Sequence, residues 1–301
     1  MLEADLLVDR RRLKRRLNFW RVLTVLAVVL AVGTLAAPRL PLGSGIGGQH
    51  LARININGII TEDRKLSDAI AALARDSSVP AVIVSVDSPG GSVAGGESLH
   101  AALLRLAAAK PVVTVMRGTA ASAGYMVSLP AERIFARGST LTGSIGVILE
   151  TFEVSGLLGK LGVDAQAITS GPLKDQPSFT RPLTAPGRVY LDALVQDMFD
   201  QFVQMVATGR HMDPDAVRKL ADGRAYTGRQ AKDLGLVDEI GGEIEARAWL
   251  AAHHGIAETL PVRDLDLSSF VQRTFGSAVT GVRTVLFGTQ NAGVWAIWSG
   301  R

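Results

Sequence analysis

Residues 81–125 read AVIVSVDSPGGSVAGGESLHAALLRLAAAKPVVTVMRGTAASAGY. Two short apolar runs, 81–86 and 111–116, bracket a helical pattern over 93–110. Neither run alternates with polar residues, so each predicts a strand buried on both faces. The surroundings repeat the theme. Residues 52–60 alternate like a strand, and 66–75 form an Ala-rich helix. Residues 133–136 and 145–149 are further short strands. A long amphipathic helix covers 185–209, and shorter helices follow to about His253. Strands alternating with helices indicate an α/β domain with largely parallel strands. Such sheets carry their sites at the carboxyl ends of strands. Two Gly-rich segments, 87–96 and 117–124, fall there, the first as a Pro-Gly turn at 87–91.

Composition narrows the function classes. The chain has 301 residues, 47% of them apolar and 20% charged, and its mean hydropathy is +0.23. Disorder as the overall state is excluded, because so much apolar surface can be buried. Cysteine is absent, which removes disulfides, thiol nucleophiles and thiolate-held metals. The formal net charge is +4. Residues 1–21 hold seven Lys/Arg against three acids, so residues 22–301 are neutral. The main domain has no basic footprint for nucleic acid.

The basic segment 1–18 precedes FWRVLTVLAVVLAVGTLAA at 19–37. Nineteen helical residues span roughly 28 Å, close to the thickness of a bilayer core. Arg21 can snorkel and Trp20 suits the interface. The reading is an uncleaved single-pass anchor with its basic end in the cytoplasm. A cleaved signal peptide is the rival, since Ala31-Val32-Gly33 offers small residues for cleavage. Residues 38–48 are a Pro/Gly/Ser-rich linker, 49–255 the globular domain, and 256–301 an amphipathic and apolar extension.

In Gly118-Thr-Ala-Ala-Ser122-Ala-Gly124-Tyr125, a serine stands where a strand passes into a helix. Its hydroxyl could be a nucleophile, with the Ala123 amide as a free donor at the helix start. It could equally cap the helix. In Asp87-Ser-Pro-Gly90-Gly91-Ser92, the paired glycines allow unusual backbone, and the Gly91 amide could supply a second oxyanion donor. The alternative there is an ordinary turn with Ser92 as a cap. A nucleophilic serine needs a base. None of His50, His100, His211, His253 and His254 stands in a motif with a carboxylate. Lysine is the other solution, because arginine cannot release its proton. Lys174 lies in a Gly/Pro-bounded loop, Ser170-Gly-Pro-Leu-Lys-Asp175. Lys65, Lys110, Lys160, Lys219 and Lys232 read as solvated positions.

These segments resemble the signal peptide peptidase A family of membrane-anchored serine peptidases. Four motifs carry the resemblance: Asp87-Ser-Pro-Gly-Gly91, Ala121-Ser-Ala-Gly-Tyr125, Thr142-Gly-Ser-Ile-Gly-Val147 and Ser170-Gly-Pro-Leu-Lys-Asp175. The motifs follow the family's order, and the resemblance covers about residues 50–255 together with the anchor topology. The resemblance implies Ser122 as nucleophile, Lys174 as general base and Ser144 as the residue orienting the lysine amine. It implies Gly91 and Ala123 as oxyanion donors. It also implies a Clp protease/crotonase-like α/β/α fold and a ring of single-domain protomers, and leaves open whether the dyad is completed within a protomer or across a boundary. No metal or organic cofactor is required. The expected substrates are remnant signal peptides and other short apolar peptides. The expected location is the bacterial inner membrane, with the catalytic domain outside the cytoplasm. The departure at Pro172-Leu173 bears on substrate fit rather than on the base. Two rivals share the fold: a crotonase-like acyl-CoA enzyme, and a non-catalytic membrane scaffold.

Overall fold

The computed structural model describes residues 19–26, 48–267 and 295–297. The chain divides into two compact units, Met1–Gly48 and Gln49–Arg301. In the first unit residues 19–26 form helix α1, with the Phe19 and Trp20 rings edge to face. Among the described residues no helix is long and apolar enough to cross a membrane. The rest of the expected anchor, 27–37, lies outside the described residues, as do the basic segment 1–18 and most of the linker.

The second unit is a mixed α/β domain. Its elements run β1 (Leu51–Ile60), α2 (Arg64–Leu73), β2 (Val82–Ser92), α3 (Val93–Ala107), β3 (Val112–Ala121), α4 (Ala123–Met126), β4 (Arg133–Ala136) and β5 (Leu141–Gly143). There follow α5 (Ser155–Lys160), α6 (Ala185–Arg210), α7 (Pro214–Leu220), β6 (Ala225–Thr227), α8 (Gly228–Asp233), β7 (Glu239–Ile240), α9 (Glu243–His254), β8 (Val262–Asp264) and β9 (Trp295–Ile297). The main path through the sheet is β6-β5-β3-β2-β1-β8. All pairings are parallel except β5 with β6 and β2 with β9.

The unbroken apolar runs have a simple cause. Side chains on a strand alternate between faces, and both faces here are covered. Val82, Val84, Val86 and Met116 join a core with Ile70 of α2, Leu103 of α3, Tyr125 of α4 and Phe202 of α6. Ile83, Val113, Val115 and Phe135 face the other way, onto Ala246 and Leu250 of α9. Five of the helices, α2, α3, α6, α7 and α8, start at side-chain caps. Asp63 accepts from the Lys65 and Leu66 amides, Ser92 from Gly95, and Thr184 from Gly187.

Three expectations change. The Pro-Gly turn at 87–91 is instead an irregular extension of β2, held in the ladder by β1 and β9. The strand expected at 145–149 lies earlier, at Leu141–Gly143. Gly143 and Ser144 both take positive φ there, and the ladder ends. Lys110 is not solvated at its tip. Its Nζ donates to the carbonyls of Asp76 and Val79, and burial lowers its pKa.

Residues 149–190 contrast with the core. Helix α5 buries no side chain, and Phe152, Leu161, Ile168 and Phe179 stand exposed. The first half of α6 continues this surface through Val189 and Tyr190, while Phe202, Val203 and Val206 in its second half are buried.

The end of α6 is pinned by charge. Arg210 Nη2 donates to Asp238 Oδ1 at 2.7 Å and Nη1 to Oδ2 at 3.1 Å. Asp238 Oδ2 also accepts from the Ile134 amide of β4 at 2.8 Å. Burial opposes the Arg210 charge, but the Asp238 hydrogen bonds outweigh it and hold its pKa above the usual value. Removing the carboxylate leaves the largely buried guanidinium and the Ile134 amide without their acceptor, at a cost of about 1–3 kcal/mol. Asp238→Ala is therefore expected to lose about that much stability, read as a lower urea midpoint at unchanged m value.

Candidate active site

Three strand ends meet at the carboxyl edge of the sheet. At the end of β2, the Gly90 amide donates to the buried Ser88 Oγ at 3.1 Å. The Ser88 hydroxyl lies 3.2 Å from the Gly90 carbonyl, to which it donates. The Asp87 carboxylate accepts from the Thr119 amide of β3 at 3.0 Å, tying the two ends together. Gly90 has φ 125°, a conformation that side chains oppose. Gly91 lies so close to Ile60 of β1 that a Cβ would overlap its backbone.

At the end of β3 stands Ser122, with φ 55° and ψ −118°. Such backbone costs about 1–3 kcal/mol outside glycine and persists only where neighbours hold it. Here they do. The Ser122 amide donates to the Gly143 carbonyl at 2.8 Å, and its own carbonyl accepts from Met126 at 2.9 Å. Gly124 rests against the Ser88 carbonyl, where a Cβ would come within 2.8 Å. Tyr125, fully buried, donates its hydroxyl to the Leu236 carbonyl at 2.9 Å. The Ser122 side chain makes no capping hydrogen bond to α4, so the capping alternative fails. The Ala123 amide finds no acceptor among the described residues.

At the end of β5, Ser144 has φ 48° and is buried. Ala121 pairs with Gly143 across β3 and β5, so Ser122 and Ser144 are the next residues along the two strands. Thr142 Oγ1 donates to the Ala120 carbonyl at 2.8 Å and fixes this register. The Ser144 amide donates to the Arg224 carbonyl at 2.9 Å. Beyond Ser144 opens a cleft of about 500 Å³, lined partly by Val147, Val195 and Phe199.

The sheet thus brings Gly91, Ser122, Ala123 and Ser144 to one edge. Lys174 stands apart. It occupies an exposed turn, with its amide donating to the Gly171 carbonyl at 3.2 Å. Its side chain makes no hydrogen bond or ion pair among the described residues, with Ser122 or any other group. The neighbouring Asp175 pairs with Arg181. None of the histidines bonds to Ser122 either. His254 ends α9 beside Glu132. His100 on α3 is partly buried, and burial lowers its pKa. Sequence reasoning missed the bracing roles of Asp87, Ser88, Tyr125 and Thr142. All four lie inside the quoted motifs, but their hydrogen bonds need the assembled sheet.

An arrangement of strained serine, free helix amide and adjacent glycine backbone suits acyl transfer. Comparisons with known proteins agree. The family model for peptidase family S49 matches residues 105–257. The chain is 39% identical to "Putative protease slr0021" of Synechocystis sp., over 69% of this chain and 76% of that protein. It is 35% identical to "Putative signal peptide peptidase SppA" of Enterococcus faecium, over 66% of this chain and 62% of that one. "Protease 4" of Salmonella typhi is 37% identical over 64% of this chain, which spans only 33% of that longer protein. A solved ClpP1 mutant structure from Listeria monocytogenes superposes with TM-score 0.42 at 20% identity, covering 63% of this chain and 91% of that one, too low a score to argue from. Motif order, family match and relatives of this identity make the chain a member of peptidase family S49, the signal peptide peptidase A family of serine proteases.

Proposed function

We propose that this chain is a membrane-anchored endopeptidase that works with a Ser122–Lys174 dyad. The observation that carries the reading is Ser122 itself: strained, uncapped, and flanked by the Gly91 loop and Ser144. Neutral Lys174 takes the proton from Ser122 Oγ as the oxygen attacks a peptide carbonyl carbon. The Gly91 and Ala123 amides receive the oxyanion. Collapse expels the amine, which takes its proton from Lys174, and leaves an acyl-enzyme. Water, deprotonated by the same lysine, then attacks the ester carbon; the bond from that carbon to Ser122 Oγ breaks, the lysine returns the proton to Oγ, and the acid is released. Ser144 orients the lysine amine in this scheme.

Lys174 must reach Ser122 with water excluded, since a lysine acts as a base only when desolvated. An exposed, unpaired Lys174 on an uncovered apolar segment suits completion of the dyad by a neighbouring protomer. Exposed apolar patches of this kind mark interaction surfaces. A ring of protomers with a Clp protease/crotonase-like fold is the form we favour, and the layered α/β/α core supports it. Peptides are the substrates in this reading, chiefly signal peptide remnants and short apolar segments. The apolar cleft beside Ser144 would take their side chains. The anchor at 19–37 would hold the domain on the outer face of the bacterial inner membrane. The helical residues 19–26 and the basic residues before them favour this placement.

Ser122→Ala is expected to lower peptide hydrolysis by several orders of magnitude, as loss of a nucleophile does, with unchanged assembly. Turnover close to wild type on casein would discard Ser122 as the nucleophile. Lys174→Arg should be as inactive as Lys174→Ala, because the guanidinium keeps its proton. An active Lys174→Arg chain would assign the base to another group. Co-expressed Ser122→Ala and Lys174→Ala chains should regain part of the activity, since mixed boundaries pair an intact serine with an intact lysine. Hetero-oligomers with no recovered activity would put the dyad inside one protomer.

A further inference from the structure

The C-terminal strand β9 lies where a substrate strand would have to lie. It pairs antiparallel with the end of β2, Gly90 opposite Ile297, Gly91 opposite Ala296 and Ser92 opposite Trp295. A strand has two edges. One edge of β2 at these residues is already taken by β1, with Ile59 opposite Gly90 and Ile60 opposite Gly91. The edge left to β9 is therefore the one on the β3 side. The pairing between β2 and β3 ends at Ser88 and Ala120, and β3 then turns into α4 at Ser122. β9 thus enters the gap that opens between the glycine segment and the corner carrying the serine. An extended peptide recognised by strand addition needs a free backbone edge. A peptide bond within reach of both Gly91 and Ser122 has this one.

We propose that β9 is an autoinhibitory strand, a segment of the chain itself that occupies the substrate edge and must leave before a peptide can bind. This rests on the reading of Ser122 and Gly91 given above. The sequence of the strand fits the role. Residues 291–300 read NAGVWAIWSG, with no charge and mostly apolar residues, the same chemistry as the short apolar peptides proposed as substrates. Its attachment to the chain makes it a competitor at a fixed local concentration. If the edge is free in one molecule in ten, the apparent KM stands about tenfold above that of the open form.

The test compares the full chain with a chain ending at Val294 and with Ala296→Pro, which cannot donate to a ladder at that position. Steady-state cleavage of an apolar peptide is measured for each, together with amide hydrogen exchange at residues 88–92. Both altered chains should show KM lowered about tenfold with kcat retained, and faster exchange at 88–92. A synthetic peptide of residues 291–301 should inhibit the shortened chain competitively. Unchanged KM with unchanged exchange in the Ala296→Pro chain would overturn the proposal. So would faster exchange with unchanged KM, which would make β9 a packing strand only. Should no form cleave any peptide, the peptidase reading falls. Inhibition falls with it, while the exchange data still decide whether β9 covers this edge.

Discussion

The contact between Gly124 and the Ser88 carbonyl sets the geometry of the site. A Cβ at Gly124 would come within 2.8 Å of that oxygen, tighter than ordinary packing allows. The absence of a side chain lets the first turn of α4 lie directly on the end of β2. Gly96 on α3 makes a related approach, and a Cβ there would meet Ala123 and Met126. Helix α4 has only four residues and could not hold its own position. It is fixed from three sides, by β2 through Gly124, by α3 through Gly96, and by the Tyr125 hydroxyl bonded to Leu236. The backbone strain at Ser122 is sustained because its surroundings over-determine it.

The proposed dyad joins two parts of different physical character. Gly91, Ser122 and Ser144 are carried on strand ends whose residues are buried in a close-packed core. Lys174 is carried on a segment with little core of its own, where α5 buries nothing and large apolar side chains face outward. Placement by a sheet is accurate, whereas an uncovered segment needs another surface to fix it. The first half of α6 shares that exposure through Val189 and Tyr190, although Thr184 caps the helix and its second half is anchored by Arg210 and Asp238. α6 therefore bridges the two parts, with one end rigidly held.

How much of this was legible in the sequence follows from the range of the forces involved. The buried strands could be read because coverage on both faces leaves an unbroken apolar signature, and the helices because their caps are local. The extension of β2 through Pro89 could not. A Pro-Gly pair signals a turn by its own preferences, and only the flanking β1 and β9 keep it extended. The displaced strand at 141–143 has a similar origin, since Ser144 takes positive φ where its amide donates a hydrogen bond to the carbonyl of Arg224, eighty residues along the chain. Ser122 was identifiable as a candidate from its place between a strand and a helix. Its strain, its uncapped hydroxyl and the Asp87 and Ser88 bonds around it depend on contacts between strands. The proposed relation of Lys174 to Ser122 is of longer range still, as no local pattern encodes it.

If Ser122 and Lys174 act as the proposed nucleophile and base, their placement on parts of such different rigidity has a consequence for control. The strained serine is ready in every folded protomer, because the core holds its conformation without help from the lysine. Serine at its ordinary basicity is a weak nucleophile, so under the proposed dyad a protomer with Lys174 in solvent would be inert whatever the state of Ser122. Reactivity would then be governed by whatever covers the segment 149–190 and dries the lysine. In the proposed ring an assembly contact would do that only when protomers meet, and proteolysis would be confined to the assembled form. The strain of the fold is met once in each protomer, while on this proposal the desolvation of the base would be left to the interface.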